Sequence, residues 1–103
     1  MNQEDHINSL QLPKSKTLLP IGTVVEVNFV KQAIMIYGRK QRNIDQDNKW
    51  DYVACPYPQG HISNDTNVFF NHDQITRVIF KGLETEGELE LRNILTEEED
   101  PKT

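Results

Sequence analysis

The stretch Trp50–Gly60, WDYVACPYPQG, restricts the fold of this chain more than any other. Its first six residues keep the period of two that a β-strand requires, with Trp50, Tyr52 and Ala54 on one face and Asp51, Val53 and Cys55 on the other. Pro56 and Pro58 then stop it. Each removes a ladder donor and biases the preceding residue towards extended backbone, so Pro56-Tyr57-Pro58-Gln59-Gly60 reads as a turn. A strand carrying such large side chains needs hydrogen-bonded neighbours and cover over at least one face.

Other segments answer that need. Thr23–Phe29 alternates, with Val25, Val27 and Phe29 on one face and Thr23, Glu26 and Asn28 outward, and its β-branched density marks a strand. Leu18-Leu19-Pro20-Ile21-Gly22 leads into it, with Pro20 and Gly22 as punctuation, and a turn is expected at Lys31-Gln32. Ala33–Tyr37 is an unbroken apolar run, the pattern of a central strand covered on both faces. Gly38 marks a bulge or bend in it, and Arg39-Lys40-Gln41-Arg42 is expected to emerge as an exposed extension. The polar loop Asn43–Lys49 joins this strand to Trp50–Cys55 as an antiparallel hairpin. After the polar loop His61–Asn67 come a short apolar strand at Val68-Phe69-Phe70 and a single helical turn over Asn71–Ile75, capped by Asn71. A last strand, Arg77–Lys81, is stopped by Gly82.

Beyond Gly82 two patterns compete. Thr85 and Glu88 have capping-box spacing, acids fill the first turn, and Leu91, Ile94 and Leu95 share a helical face. Against that, Leu89 and Leu91 alternate with Glu88 and Glu90 as a strand would, and Gly87 costs a helix about 1 kcal/mol. The helix is the favoured reading. The domain organisation that follows is a flexible N-terminal segment at 1–17, one β-rich domain with a C-terminal helix at 18–96, and a disordered acidic tail at 97–103. The expected fold class is α+β, mainly β: a small antiparallel bent sheet or SH3-like half-barrel with a short helical turn and a C-terminal helix.

The formal charge of −5 is unevenly spread. Residues 84–103 hold eight acids against Arg92 and Lys102, which is −6, so residues 1–83 sum to +1. Such a balance argues against non-specific nucleic-acid binding, which needs a basic footprint. The cluster Lys31, Arg39, Lys40 and Arg42 beside Tyr37 and Trp50 has two possible uses: contacting RNA by charge and stacking, or docking an acidic partner or the chain's own acidic tail. Tyr37, Arg39, Arg42, Trp50 and Tyr57 are the candidate protein-binding surface. Catalytic chemistry is not visible. His6, His61 and His72 lie in loop or terminal positions with no recognised ligand spacing, even allowing Asp65 or Asp73 as a third group. Cys55 is the only cysteine and sits inside a strand as a small apolar residue, without an electropositive setting that would activate it towards His61 or His72. The five glycines are scattered singly, so no phosphate loop exists. No enzyme activity, cofactor or metal is expected. No apolar run approaches the roughly 20 residues of a membrane span, and no signal-peptide layout opens the chain, so a cytoplasmic location is expected.

Four pieces in order, LLPIGTVV (18–25), IMIYGR (34–39), WDYVACPYPQG (50–60) and FFNHDQITRVIFKG (69–82), resemble the family catalogued as domain of unknown function 4176, from Gram-positive bacteria. Members commonly accompany the LXG toxins of the type VIIb secretion system. The resemblance implies a non-catalytic accessory role in toxin export, as a chaperone or targeting factor that binds a cognate LXG toxin or its small helical partners. It brings no catalytic residues to carry over. An immunity protein that inhibits the toxin and a small β-barrel RNA-binding module are the alternatives.

Overall fold

A computed structural model describes residues 17–42 and 48–99. The N-terminal segment 1–16, most of the expected hairpin loop (43–47) and the end of the acidic tail (100–103) lie outside the described residues. Among the described residues five strands follow in order, β1 (Val24–Val27), β2 (Val30–Arg42), β3 (Lys49–Pro56), β4 (Val68–Phe70) and β5 (Ile75–Phe80), then a helix, α1 (Glu86–Glu99). Short 3-10 turns at Asn64–Thr66 and His72–Gln74 flank β4. Every strand pairing is antiparallel, in the order β4-β3-β2-β1-β5. The expected class holds: the described residues form a small, mainly β, open sheet with one helix.

The connection between β4 and β5 makes the sheet bend. These strands are the opposite edges of the sheet, yet only Asn71–Gln74 separates them, partly wound as a 3-10 turn. Five strands laid flat at about 4.8 Å spacing would put the edges about 19 Å apart. Five residue steps, some of them helical, reach less than about 17 Å. The sheet therefore curls, and the concave side holds the core of Leu18, Leu19, Val25, Ile34, Tyr52 and Phe70 with their neighbours. Tyr52 and Phe70 stack there with ring centroids 5.1 Å apart.

Two register shifts decide which side chains reach that core. On β2, Ile36 faces Ala54 but Gly38 faces Val53, so one extra residue is inserted at the Gly38 bulge that the sequence predicts. Side chains alternate in a strand, so an extra residue exchanges the faces beyond it. Ile34 and Ile36 point into the core before the bulge, and Arg39 does so after it, opposite Tyr52. Arg39 is therefore not part of an exposed extension. It is 8% exposed. On β5, Phe80 faces Val24 and Val78 faces Val25, which leaves Ile79 as the extra residue and both Ile79 and Phe80 exposed.

Other differences from the sequence reading have local causes. The first turn falls at Asn28-Phe29 instead of Lys31-Gln32, because Val27 pairs with Val30 across a two-residue connection. Phe29 thus sits at a hairpin tip, 54% exposed, instead of joining Val25 and Val27. Thr23 is buried instead of outward, since its hydroxyl accepts the Gly82 N–H at 3.0 Å. That bond marks a close crossing of the chain before β1 and after β5: a Cβ on Gly82 would lie 2.2 Å from the Ile21 carbonyl oxygen, and Gly22 has φ +93°. The LLPIG and FKG motifs meet here. Asn71 does stand at the N-cap of the following turn, where its N–H is accepted by Gln74 Oε1 at 2.8 Å and its side chain accepts the Asp51 N–H at 3.1 Å.

The tail adopts the helix, not the strand. Thr85 Oγ1 accepts the Glu88 N–H at 3.1 Å, half of the expected capping box; the Glu88 side chain is engaged elsewhere. The helix also runs through 97–99, where a disordered tail is expected. Glutamate is a good helix former, and the first helix breaker after Gly87 is Pro101.

Candidate protein-binding surface

The five residues expected to form one surface are distributed over different parts of the molecule. Tyr37 stands on the convex face of the sheet, donates its O–H to Asn67 Oδ1 at 2.6 Å and meets the His61 ring edge-on at 5.7 Å. Burial, then the nearby Cys55, push the Tyr37 pKa up against the lowering effect of the Asn67 bond. Tyr57 lies on the same face, about half exposed, after β3. Arg39 points the other way, into the concave side. Arg42 is at the exposed end of β2, and Trp50 is half-buried opposite Gln41, its Nε1 buried with no hydrogen-bond partner among the described residues. Lys40 pairs with Asp51 at 3.1 Å, and Lys31 lies at the distant β1–β2 hairpin. The basic cluster is therefore not assembled into the stripe that RNA contact through charge and stacking needs.

Arg39 serves the other use foreseen for these basic residues, docking the chain's own acidic tail. Its guanidinium grips Glu88 of α1 with both arms, at 2.8 and 3.1 Å, and donates to the Leu19 carbonyl at 3.2 Å. One turn on, Arg92 donates from Nε to the same carboxylate at 3.0 Å, and its other nitrogens reach Glu84 and the Thr17 hydroxyl. Lys81 adds a contact to Glu84 at 3.3 Å. The Arg92 hydrogen bond holds the Glu84 carboxyl below the usual carboxylate range. Burial alone would lower the Arg92 pKa, and its bonds to Glu84 and Glu88 more than reverse that. Two guanidinium groups sharing a nearly buried carboxylate form a charge-assisted clamp. Beneath it, Tyr52 O–H accepts the Leu19 N–H at 2.9 Å and shares a hydrogen bond with His72 Nδ1 at 2.6 Å. Burial raises the Tyr52 pKa far enough to keep the phenol neutral. His61 and His72 are thus engaged in separate places. Cys55 is buried, which pushes its thiol pKa up.

Because α1 is held by Glu88 and Arg92, with Leu95 as its apolar contact to the core, the rest of its apolar residues stay outside. Leu91 is 46% and Ile94 53% exposed, although the sequence groups both with Leu95 on one face. A second apolar surface lies on the convex face, where Phe80, Val24, Met35 and Cys55 form a row across four strands. The segment after β3 covers the Cys55 end, tied down by Tyr37–His61, Tyr37–Asn67 and the Gln32 side-chain bond to the Tyr57 carbonyl. The opposite end stays open as a groove of about 310 Å³ lined by Gly22, Val24, Met35, Tyr57, Ile79 and Phe80. Sequence reasoning found Tyr57 but missed Leu91, Ile94, Ile79 and Phe80 as surface residues. The signal for Leu91 and Ile94 was Arg92 between them, a long basic side chain one turn after Glu88.

Among the described residues no helix is long and apolar enough to cross a membrane. No curated protein and no solved structure matches the chain. Residues 18–91 match the family described as Domain of unknown function (DUF4176), from the buried Leu18-Leu19 pair through all five strands to Leu91 in the second turn of α1. The match covers well over half of the chain, which therefore belongs to the DUF4176 family.

Proposed function

We propose that this protein is a cytoplasmic, non-catalytic accessory factor of type VIIb secretion that binds a cognate LXG toxin, or the small helical proteins that accompany it, as a chaperone or targeting factor. One observation carries the binding part of this reading: α1 is fixed to the body by charge, so its apolar residues are left on the outside, where they can serve a partner. The choice of partner is supported by the family resemblance, which implies company with LXG toxins. The test is co-production with the toxin encoded beside it. Toxin that is soluble and co-purifies only when this protein is present supports the role; unchanged toxin solubility and export in a deletion strain overturns it.

A second reading, immunity, is favoured by the acidity of α1, which carries six glutamates against Arg92 and would suit blocking a basic nuclease site. Immunity requires binding to the C-terminal domain of the toxin and protection of a target cell that makes this protein.

A further inference from the structure

We infer that the outward row of α1, centred on Leu91 and Ile94, is the seat of a cationic amphipathic helix from a partner protein. The inference rests on the reading of this chain as a protein-binding module and adds the chemistry of what is bound. In a helix, residues three and four apart form a ridge, and Gly87, Leu91 and Ile94 fall on one such row. Leu91 and Ile94 are 46% and 53% exposed at its centre. Nothing among the described residues accounts for glycine at position 87, since an added Cβ would meet only Thr85 Oγ1, at 3.8 Å. On this row a glycine lets a second helix come close.

Charge selects the occupant. Glu86 and Glu90 are exposed on α1, on either side of the start of that row. Its one cation, Arg92, is turned inward and neutralised by Glu84 and Glu88. The apolar row is thus set in a surface of one sign. A second copy docked through the same row would bring glutamates against glutamates, and nucleic acid and anionic lipid are repelled for the same reason. A helix with two or three apolar residues at i, i+3 and i+4 and Lys or Arg beside them satisfies both features at once: its apolar ridge covers Leu91 and Ile94, and its cations meet the glutamates. An extended strand offers no ridge of that spacing.

The test uses the full-length protein and synthetic helical peptides of about five turns. One has leucines at i, i+3 and i+4 with lysines elsewhere; a second has the same composition scrambled to remove the apolar face; a third replaces its lysines by glutamates. The expected result is saturable binding of the first peptide alone, weakening roughly tenfold or more between low and high salt. The variant Leu91→Glu/Ile94→Glu makes the surface more acidic, so attraction by charge alone would tighten binding to it. Loss of binding in that variant, with its thermal melt unchanged, supports the inference; binding that is retained or tightened overturns it. Equal binding of the scrambled or acidic peptide overturns it too, as does self-association of the wild type that the variant abolishes, which would give the row to a second copy. Toxin co-purification with the same variant separates the two readings. A variant that still captures the toxin removes this seat and keeps the accessory role. A wild type that binds the peptide and not the toxin keeps the seat and removes that role.

Discussion

At the scale of single residues, Glu88 has the most consequence. Its carboxylate is shared by Arg39 and Arg92, whose side chains are 4% and 9% exposed, so its removal leaves Arg39 without a carboxylate and Arg92 with Glu84 alone in a poorly solvated place. Removing one partner of a buried pair costs about 3 kcal/mol or more, whereas replacing both with apolar groups is often nearly neutral. Glu88→Ala should therefore lower stability by about 3 kcal/mol in urea denaturation, and Arg39→Met/Glu88→Leu should cost less than Glu88→Ala alone. Tyr52 is the second such residue. Tyr52→Phe keeps the stacked ring but leaves the Leu19 N–H without its acceptor and His72 Nδ1 without its hydroxyl partner, an expected loss of about 1–2 kcal/mol in the same measurement. Arg39 itself shows what was not legible in the sequence. The bulge at Gly38 is readable from the glycine in an apolar run, but its effect is to exchange inside for outside over the next residues. That sends a charged residue inward, against every preference of its side chain, and only the presence of Glu88 nearly fifty residues later makes it tolerable.

At the scale of elements, the strands were legible because burial on one face imposes a period of two on the residues themselves. Their ends were less so. The Asn28-Phe29 turn contains no glycine or proline to announce it, and the Ile79-Phe80 bulge is invisible because both residues are apolar and suit either face. The helix was legible from Thr85 and Glu88, but its orientation was not: three leucine and isoleucine residues on one side outweighed one arginine on the other in a reading by hydrophobicity. Glu88 and Arg92 win because Arg39 waits beneath them. The candidate surface was the least legible part, since an exposed apolar residue and a core residue look alike until the packing is known. Gly87 allows a direct check at this scale. It is an exposed position in the first turn of α1 where a Cβ would make only an ordinary van der Waals contact, so Gly87→Ala should stabilise the protein, by at most the about 1 kcal/mol of an interior site, read as a higher midpoint in thermal or urea unfolding. No gain would mean that the first turn of α1 contributes little to the folded state.

At the scale of the whole molecule, a curled sheet built on apolar packing is joined to a helix held mainly by ionic contacts, so the two parts answer differently to pH. The folded-state pKa of Glu84 is depressed, first by its hydrogen bond from Arg92. Its contribution to stability is therefore complete above the unfolded carboxylate pKa, about 4.3 for glutamate, and is lost as the pH falls through the lower folded value. Acidification from neutrality through that window should lower the melting temperature, and Glu84→Gln should reduce the size of that fall. An identical pH dependence in the variant would show that Glu84 is not what ties the helix down in acid.

The pairing of β1 with β5 has a consequence in time. Val24 and Phe80 are neighbours in the sheet but are, among the described residues, the first and last strand residues to be synthesised. At a translation rate of roughly 5–20 residues per second, about 3–11 seconds separate their emergence. Once β2 has paired and until β5 follows, β1 has one neighbour and one unpaired edge. Such edges recruit strands from other chains. The nascent protein is thus most vulnerable to wrong pairing before β5 exists, and completion of β5 ends that window.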